Sequence, residues 1–245
     1  MTVNALGEIV ARERRTDRPA VHLPAADRTM SYHDFCTTAW KAGNVFRHLG
    51  VAAGRRVELQ PVASPESLLA FFGAALLGSP VRFEARGEDE TRVVVATAER
   101  EDELDPRAGT KLVVYGGCPK RPTTTHWETE VWSENPAIPP YEVEPSTPAL
   151  VADDATYAHA ELLTLAERVV NDYDLTDASR VVVRGSLSHP GVIVAGVVAP
   201  LLVGGTVVLP SDDGATSSGD IAVTAVDAVD VVPEPVAVDP SDVVA

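Results

Sequence analysis

The chain has 245 residues, enough for one large or two small domains around a sizeable core, and its 45% apolar and 23% charged content is that of an ordinary folded protein. Twenty Lys and Arg stand against 36 Asp and Glu, a formal charge of −16, so the broad basic surface of a general nucleic-acid binder is excluded and an anionic membrane surface is disfavoured. Cys36 and Cys118 are too few for a disulfide framework and no Cys-x-x-Cys spacing exists to hold zinc, which points to a reduced, cytoplasmic protein.

The first thirty residues carry arginines but no uninterrupted apolar stretch, so no signal peptide is expected. Asn4 is placed to cap a first amphipathic helix with Leu6, Ile9 and Val10 on one side, and a short strand follows at Ala20 to Leu23. Ser31-Tyr32-His33-Asp34 is a capping-box pattern. It opens a helix through Phe35, Ala39, Ala42, Val45, Phe46 and Leu49 that Gly50 closes. Arg56 to Pro61 reads as a strand. Ser64-Pro65-Glu66 starts a second helix, with Ser as cap and Pro in the first turn, whose buried side is Leu68, Leu69, Phe72, Ala75 and Leu76. Val81 to Phe83, Arg92 to Thr97 and Lys111 to Tyr115 are further strands, the last two β-branched runs of the buried parallel kind, with an acidic helix or loop at Ala98 to Asp105. Residues 1 to 118 thus form a first α/β subdomain.

Pro119 to Pro148 holds seven prolines, three consecutive threonines, Trp127 and Trp132, and reads as a Pro-rich connection whose tryptophans either face a partner or pin the loop to the core. A second α/β segment spans 149–232. In it Thr156 is placed to cap a helix through Leu162, Leu165, Ala166 and Val169, Arg180 to Arg184 is a strand, Pro190 to Val203 a very apolar helix and Thr206 to Leu209 a strand. Pro200 and Gly204-Gly205 break this apolar run, so no membrane span is expected. Ile221 to Thr224 and Val229 to Val232 are weaker strand signals, and 233–245 is an acidic tail. The fold class is α/β, with mostly parallel sheets flanked by helices.

The charge is unevenly spread. Residues 1 to 84 balance at +2 and residues 85 to 245 at −18, with eight acids and no Lys or Arg from Ser211 onward. Such a tail suits either an acidic interaction arm or a last strand or two with a frayed end. With only three lysines in the chain, the acid excess suits a halophilic, haloarchaeal source, although a GC-rich genome also replaces Lys by Arg.

Thr29-Met30-Ser31-Tyr32, then Leu49-Gly50-Val51-Ala52-Ala53-Gly54-Arg55-Arg56-Val57, then Ser64-Pro65-Glu66 with Phe72-Gly73-Ala74-Ala75-Leu76-Leu77-Gly78-Ser79-Pro80-Val81, follow one another in an order and spacing that resemble the start of an adenylate-forming (AMP-binding) enzyme. This superfamily holds acyl-CoA synthetases and peptide-synthetase adenylation domains. Pro148 to Val151, Tyr157-Ala158-His159-Ala160-Glu161-Leu162-Leu163, and Ser188-His189-Pro190-Gly191 with Pro200 to Val208 resemble later parts of the same region. The resemblance implies the front of an acyl-CoA synthetase N-terminal domain and sets His189 and Gly191 near an acyl pocket, although His189 also fits a simple cap ahead of Pro190.

The resemblance also exposes a loss. Family members carry Ser-Gly-Thr-Thr-Gly-x-Pro-Lys-Gly, a phosphate-binding loop, where this chain has Ala152-Asp153-Asp154-Ala155-Thr156. Two carboxylates repel a polyphosphate: like unit charges about 4 Å apart cost on the order of 4 kcal/mol at an effective dielectric near 20. Asp153-Asp154 also suits a metal-binding or acid/base pair, or a plain solvated turn. Gly116-Gly117-Cys118-Pro119-Lys120 has glycines and a lysine but no hydroxyls, and reads as a turn. The six histidines show no helical metal spacing. The family's adenine-binding motifs and the lysine of its mobile C-terminal domain find no match in these residues. The expectation is a degenerate ligase-like domain with no cofactor, binding an acyl or CoA-like ligand or a protein partner such as a complete synthetase. The alternative is an active acid–thiol ligase using ATP with magnesium and CoA at an atypical or partner-completed site.

Overall fold

The computed structural model describes residues 3–87, 90–137, 141–152, 155–210, 219–225 and 232–245. The chain opens with two 3₁₀ turns, Leu6–Val10 and Arg12–Arg14, and the hairpin β1 (Pro19–Leu23) and β2 (Arg28–Ser31) leads into α1 (Tyr32–His48). Next come β3 (Arg56–Leu59), α2 (Pro65–Ala75), β4 (Val81–Arg82), β5 (Thr91–Thr97), a 3₁₀ turn at Ala98–Glu103 and β6 (Lys111–Tyr115). β7 (Thr125–His126), α3 (Trp127–Ser133), β8 (Pro148–Ala152), β9 (Ala155–Ala158) and α4 (His159–Asp172) complete the middle of the chain. The last part holds β10 (Arg180–Val183), α5 (Pro190–Ile193), α6 (Ala199–Val203), β11 (Thr206–Val208), β12 (Ile221–Val223), β13 (Val236–Val238) and α7 (Pro240–Val243).

Among the described residues the strands form two sheets, ordered β13-β12-β10-β11-β1-β2 and β7-β6-β5-β3-β4-β8-β9. All neighbours run parallel except the two hairpins, β1–β2 and β8–β9. The fold is therefore α/β with mixed, mostly parallel sheets flanked by helices. The chain starts in the first sheet, builds the second, and returns, so that Val21 lies opposite Val207.

One apolar core joins both sheets, with Val21, Val181 and Val207 from the first, Val57, Val93 and Leu150 from the second, and Phe35, Phe46, Phe71, Phe72 and Leu162 from the helices. The alternation of β5 and β6 divides their side chains between two faces. Val93, Val95 and Val113 enter this core, while Val94, Ala96, Leu112 and Val114 form a small second one beneath Ala98 and Leu104. Burial of a parallel strand on both faces explains why these segments read as unbroken valine runs.

The helix starts follow their capping residues. The Ser31 hydroxyl accepts from the Asp34 N–H and the Ser64 hydroxyl from the Ser67 N–H, both at 3.1 Å. Gly50 takes a left-handed φ of 85° just beyond α1, where a side chain would be strained.

Several expectations are corrected. The first helix is a 3₁₀ turn capped by Ala5, not Asn4, with Leu6, Ile9 and Val10 buried as expected. The 119–148 connection contains β7 and α3, and Trp127 at the start of α3 packs edge-on against Phe46 at 6.2 Å. Thr156 caps no helix: it pairs with Val151 inside β9, and α4 begins at His159 with the Ala158 N–H held by the Glu161 carboxylate at 2.7 Å. The apolar 190–203 helix carries a π-turn at Val194–Val198, immediately before the turn holding Pro200, which lacks an N–H and crowds the preceding carbonyl. The strand signal at 229–232 lies outside the described residues except for Val232, which is not in a strand, and the outer strand is β13 instead. No helix among the described residues is long and apolar enough to cross a membrane.

Candidate functional site

The segment that the resemblance sets against a phosphate-binding loop is the β8–β9 hairpin. Its antiparallel ladder runs from Pro148 opposite Ala158 through Val151 opposite Thr156 to Ala152 opposite Ala155, so only two residues of sequence join the paired ends. Those two, Asp153 and Asp154, lie outside the described residues. Thr156 is a member of the ladder.

At the foot of the hairpin, α4 starts on a buried histidine. His159 is 0% exposed, its Nδ1 accepts the Leu6 N–H at 3.1 Å, and its Nε2 is buried with no hydrogen-bond partner. Since Nδ1 accepts, the ring is the neutral Nε2–H tautomer. Burial pushes its pKa down to about 4. This histidine fastens the N-terminal turn to α4; it is not open to a ligand. Two shallow grooves flank the start of α4, one of about 530 Å³ lined by Ser146, Pro148, Thr156 and Glu161 among others, the other of about 340 Å³ along Tyr157, Glu161, Thr164 and Arg168. Glu161 borders both with a carboxylate already engaged in the helix cap.

The structure settles the conformational role of His189. Its Nδ1 accepts the Gly191 N–H at 3.1 Å, so it caps α5 ahead of Pro190. Gly191 is buried against the end of the chain: a Cβ placed there would lie 1.9 Å from the Pro240 carbonyl oxygen. α7 therefore covers the side of Gly191 that a substituent would need. Its position is secured by β13, which pairs with β12, and by Glu234, whose carboxylate takes two hydrogen bonds from the Arg184 guanidinium at 2.7 and 2.8 Å. The bidentate pair is nearly sealed from water, with side-chain exposures of 10% for Arg184 and 0% for Glu234. Cys36 is buried and Cys118 exposed, both free thiols.

The 116–120 turn is built around Glu101, a residue that sequence reasoning passed over inside an acidic run. Glu101 is fully buried and accepts the N–H groups of Lys120 at 2.6 Å and Arg121 at 3.1 Å. Burial alone raises its pKa, but these bonds, with those from Thr124 and the Arg121 side chain, outweigh it and hold the carboxyl at about 2. Lys120 itself pairs with Asp102. The Gly116 N–H is held by Glu128 at 2.7 Å, so the first N–H of the turn and both the N–H and the ammonium of Lys120 are engaged within the protein.

Two further polar groups escape the sequence because their partners are distant in it. Glu58, buried in β3, accepts from the Arg86 and Gly87 N–H groups at 2.7 and 2.5 Å and from the Thr91 hydroxyl at 2.5 Å. At the carboxyl ends of β3 and β6 the Ser64 hydroxyl donates to Tyr115 Oη at 3.2 Å and lies 3.1 Å from Ser67 Oγ. Trp127 is buried, whereas Trp132 is 86% exposed. Among the described residues no group of three or more His, Cys, Asp or Glu is placed to hold a metal.

No family model matches the chain, and no curated protein does. Solved structures do. An anthranilate CoA ligase in complex with anthranoyl-AMP superposes with a TM-score of 0.76 at 18% identity, covering 89% of this chain and 49% of its own. A benzoate CoA ligase from Burkholderia xenovorans gives 0.76 at 17%, covering 89% and 50%. The fatty acyl CoA synthetase of Mycobacterium tuberculosis gives 0.76 at 17%, covering 94% and 51%. The fold is that of the N-terminal domain of acyl-CoA synthetases. The chain spans about half the length of the ligases it matches.

Proposed function

We propose that this chain is a degenerate adenylate-forming ligase-like domain without adenylation chemistry of its own, working in the cytoplasm as a ligand-binding or partner-binding domain. The observation that carries this reading is the β8–β9 ladder. Strands that the resemblance joins by a glycine- and hydroxyl-rich phosphate loop are here paired out to Ala152 and Ala155, with two aspartates as the whole connection. ATP with magnesium requires free N–H groups and a cation beside them. Thr156 is a rung of the ladder, Glu161 adds negative charge, and among the described residues Arg168 is the single cation lining the adjoining grooves. These residues do not fit a triphosphate.

The covering of Gly191 by Pro240, with His189 engaged as a cap, speaks against an acyl or CoA-like ligand at that position. A second reading, an acid–thiol ligase whose ATP site is completed by another chain, draws support from the half-length match to the ligases. Exchange of labelled pyrophosphate into ATP across a panel of carboxylic acids separates the two. The first reading expects none from the chain alone or with its co-purifying partner inactivated, and the second expects exchange only with the partner present. A thermal shift with acyl-CoA or AMP tests retention of a ligand directly.

A further inference from the structure

Arg12 stands on the second N-terminal turn and Arg15 directly after it. With Trp40 of α1, Pro136 and Ala137 they line a cleft of about 290 Å³, close to the lower size of small-molecule sites. The Trp40 indole N–H donates to the Val10 carbonyl at 2.8 Å, which fixes the ring as one wall. Arg15 Nε is sealed from solvent and has no hydrogen-bond partner.

The unusual feature is what these arginines lack. Acids outnumber bases 36 to 20, yet neither Arg12 nor Arg15 has a side-chain hydrogen bond or ion pair among the described residues. Their neighbours are satisfied: Arg14 donates to the Leu201 and Leu202 carbonyls at 2.6 and 2.8 Å, and Arg18 pairs with Asp177. With no protein acceptor on either guanidinium, the Arg12 and Arg15 N–H groups that face the cleft would meet an entering anion without competition. Guanidinium forks suit carboxylate and phosphate oxygens, and an indole face with a proline beside it suits a flat or aliphatic body.

We propose that this cleft binds a small organic anion, its carboxylate or phosphate head on Arg12 and Arg15 and its apolar body against Trp40, Pro136 and Ala137. The site shares no residue with the β8–β9 hairpin or with His189 and Gly191, so it stands or fails independently of the proposed function.

Calorimetric titration of the full chain with 2-naphthoate, 2-naphthyl phosphate and neutral 2-naphthamide tests it, the two anions distinguishing a carboxylate from a phosphate preference. At least one anion is expected to bind at a single site with sub-millimolar affinity, and the amide about tenfold more weakly or worse. R12Q, at an exposed position, should weaken the anion about fivefold, and R12Q/R15Q about tenfold or more, with the unfolding temperature of R12Q unchanged. Absence of binding by both anions, equal affinity for the amide, or undiminished anion binding by R12Q would overturn the proposal.

Discussion

His159 makes the fold acid-sensitive in a defined window. Its folded pKa of about 4 lies below the ordinary value of 6.5, so between these limits the unfolded chain binds the extra proton more readily. The stability it contributes is complete above pH 6.5 and is lost as the pH falls toward 4. With those two values the loss is about 2 kcal/mol at pH 5 and about 3 kcal/mol below pH 4. The structure gives the reason: a proton on Nδ1 would confront the Leu6 N–H, and Nε2 is buried with no acceptor among the described residues. H159N offers an amide oxygen that can still accept from Leu6 while removing the titration. Urea unfolding of both proteins at pH 7.5 and pH 5 checks this, since every other titrating group is common to the pair. Wild type should lose about 2 kcal/mol more than H159N over that interval. Equal losses, or a His159 ring titrating near pH 6.5 by NMR, would refute the reasoning.

Other perturbations probe the C-terminal lock and the tryptophans. G191A sets a methyl against the Pro240 carbonyl and should cost about 1–3 kcal/mol or release α7, which limited proteolysis would detect as a new cut near residue 240. E234A removes the carboxylate that takes two hydrogen bonds from the buried Arg184 guanidinium and should cost about 3 kcal/mol in denaturant unfolding, with little dependence on salt because the pair is sealed from water. W127A should cost about 3–5 kcal/mol and W132S no more than about 0.5 kcal/mol, a contrast set by burial and readable from two unfolding curves.

Those variants also mark where the sequence was legible. Ser31 and Ser64 act on N–H groups three residues ahead, so both helix starts could be read locally, as could the valine runs of β5 and β6. What escaped is non-local. Nothing near Val21 announces Val207 as its neighbour, and Glu101, Glu58 and Glu234 look like solvated acids until residues 19 to 50 positions away close over them. Thr156 misled because a hydroxyl ahead of an apolar helix has the pattern of a cap. The hairpin ladder extends instead to Ala158, and Glu161 supplies the cap. The departure from the family's phosphate-loop pattern was legible in the residues at 152–156; that β8 and β9 pair out to Ala152 and Ala155, and that α7 closes over Gly191, required the fold.

Pyrophosphate exchange bears most directly on the central claim, that the two-residue β8–β9 connection leaves no seat for ATP. Purified chain, in the salt at which it is folded and without a partner, should incorporate no label into ATP above the no-protein control with any carboxylic acid of the panel. Acid-dependent incorporation above that control would contradict the account.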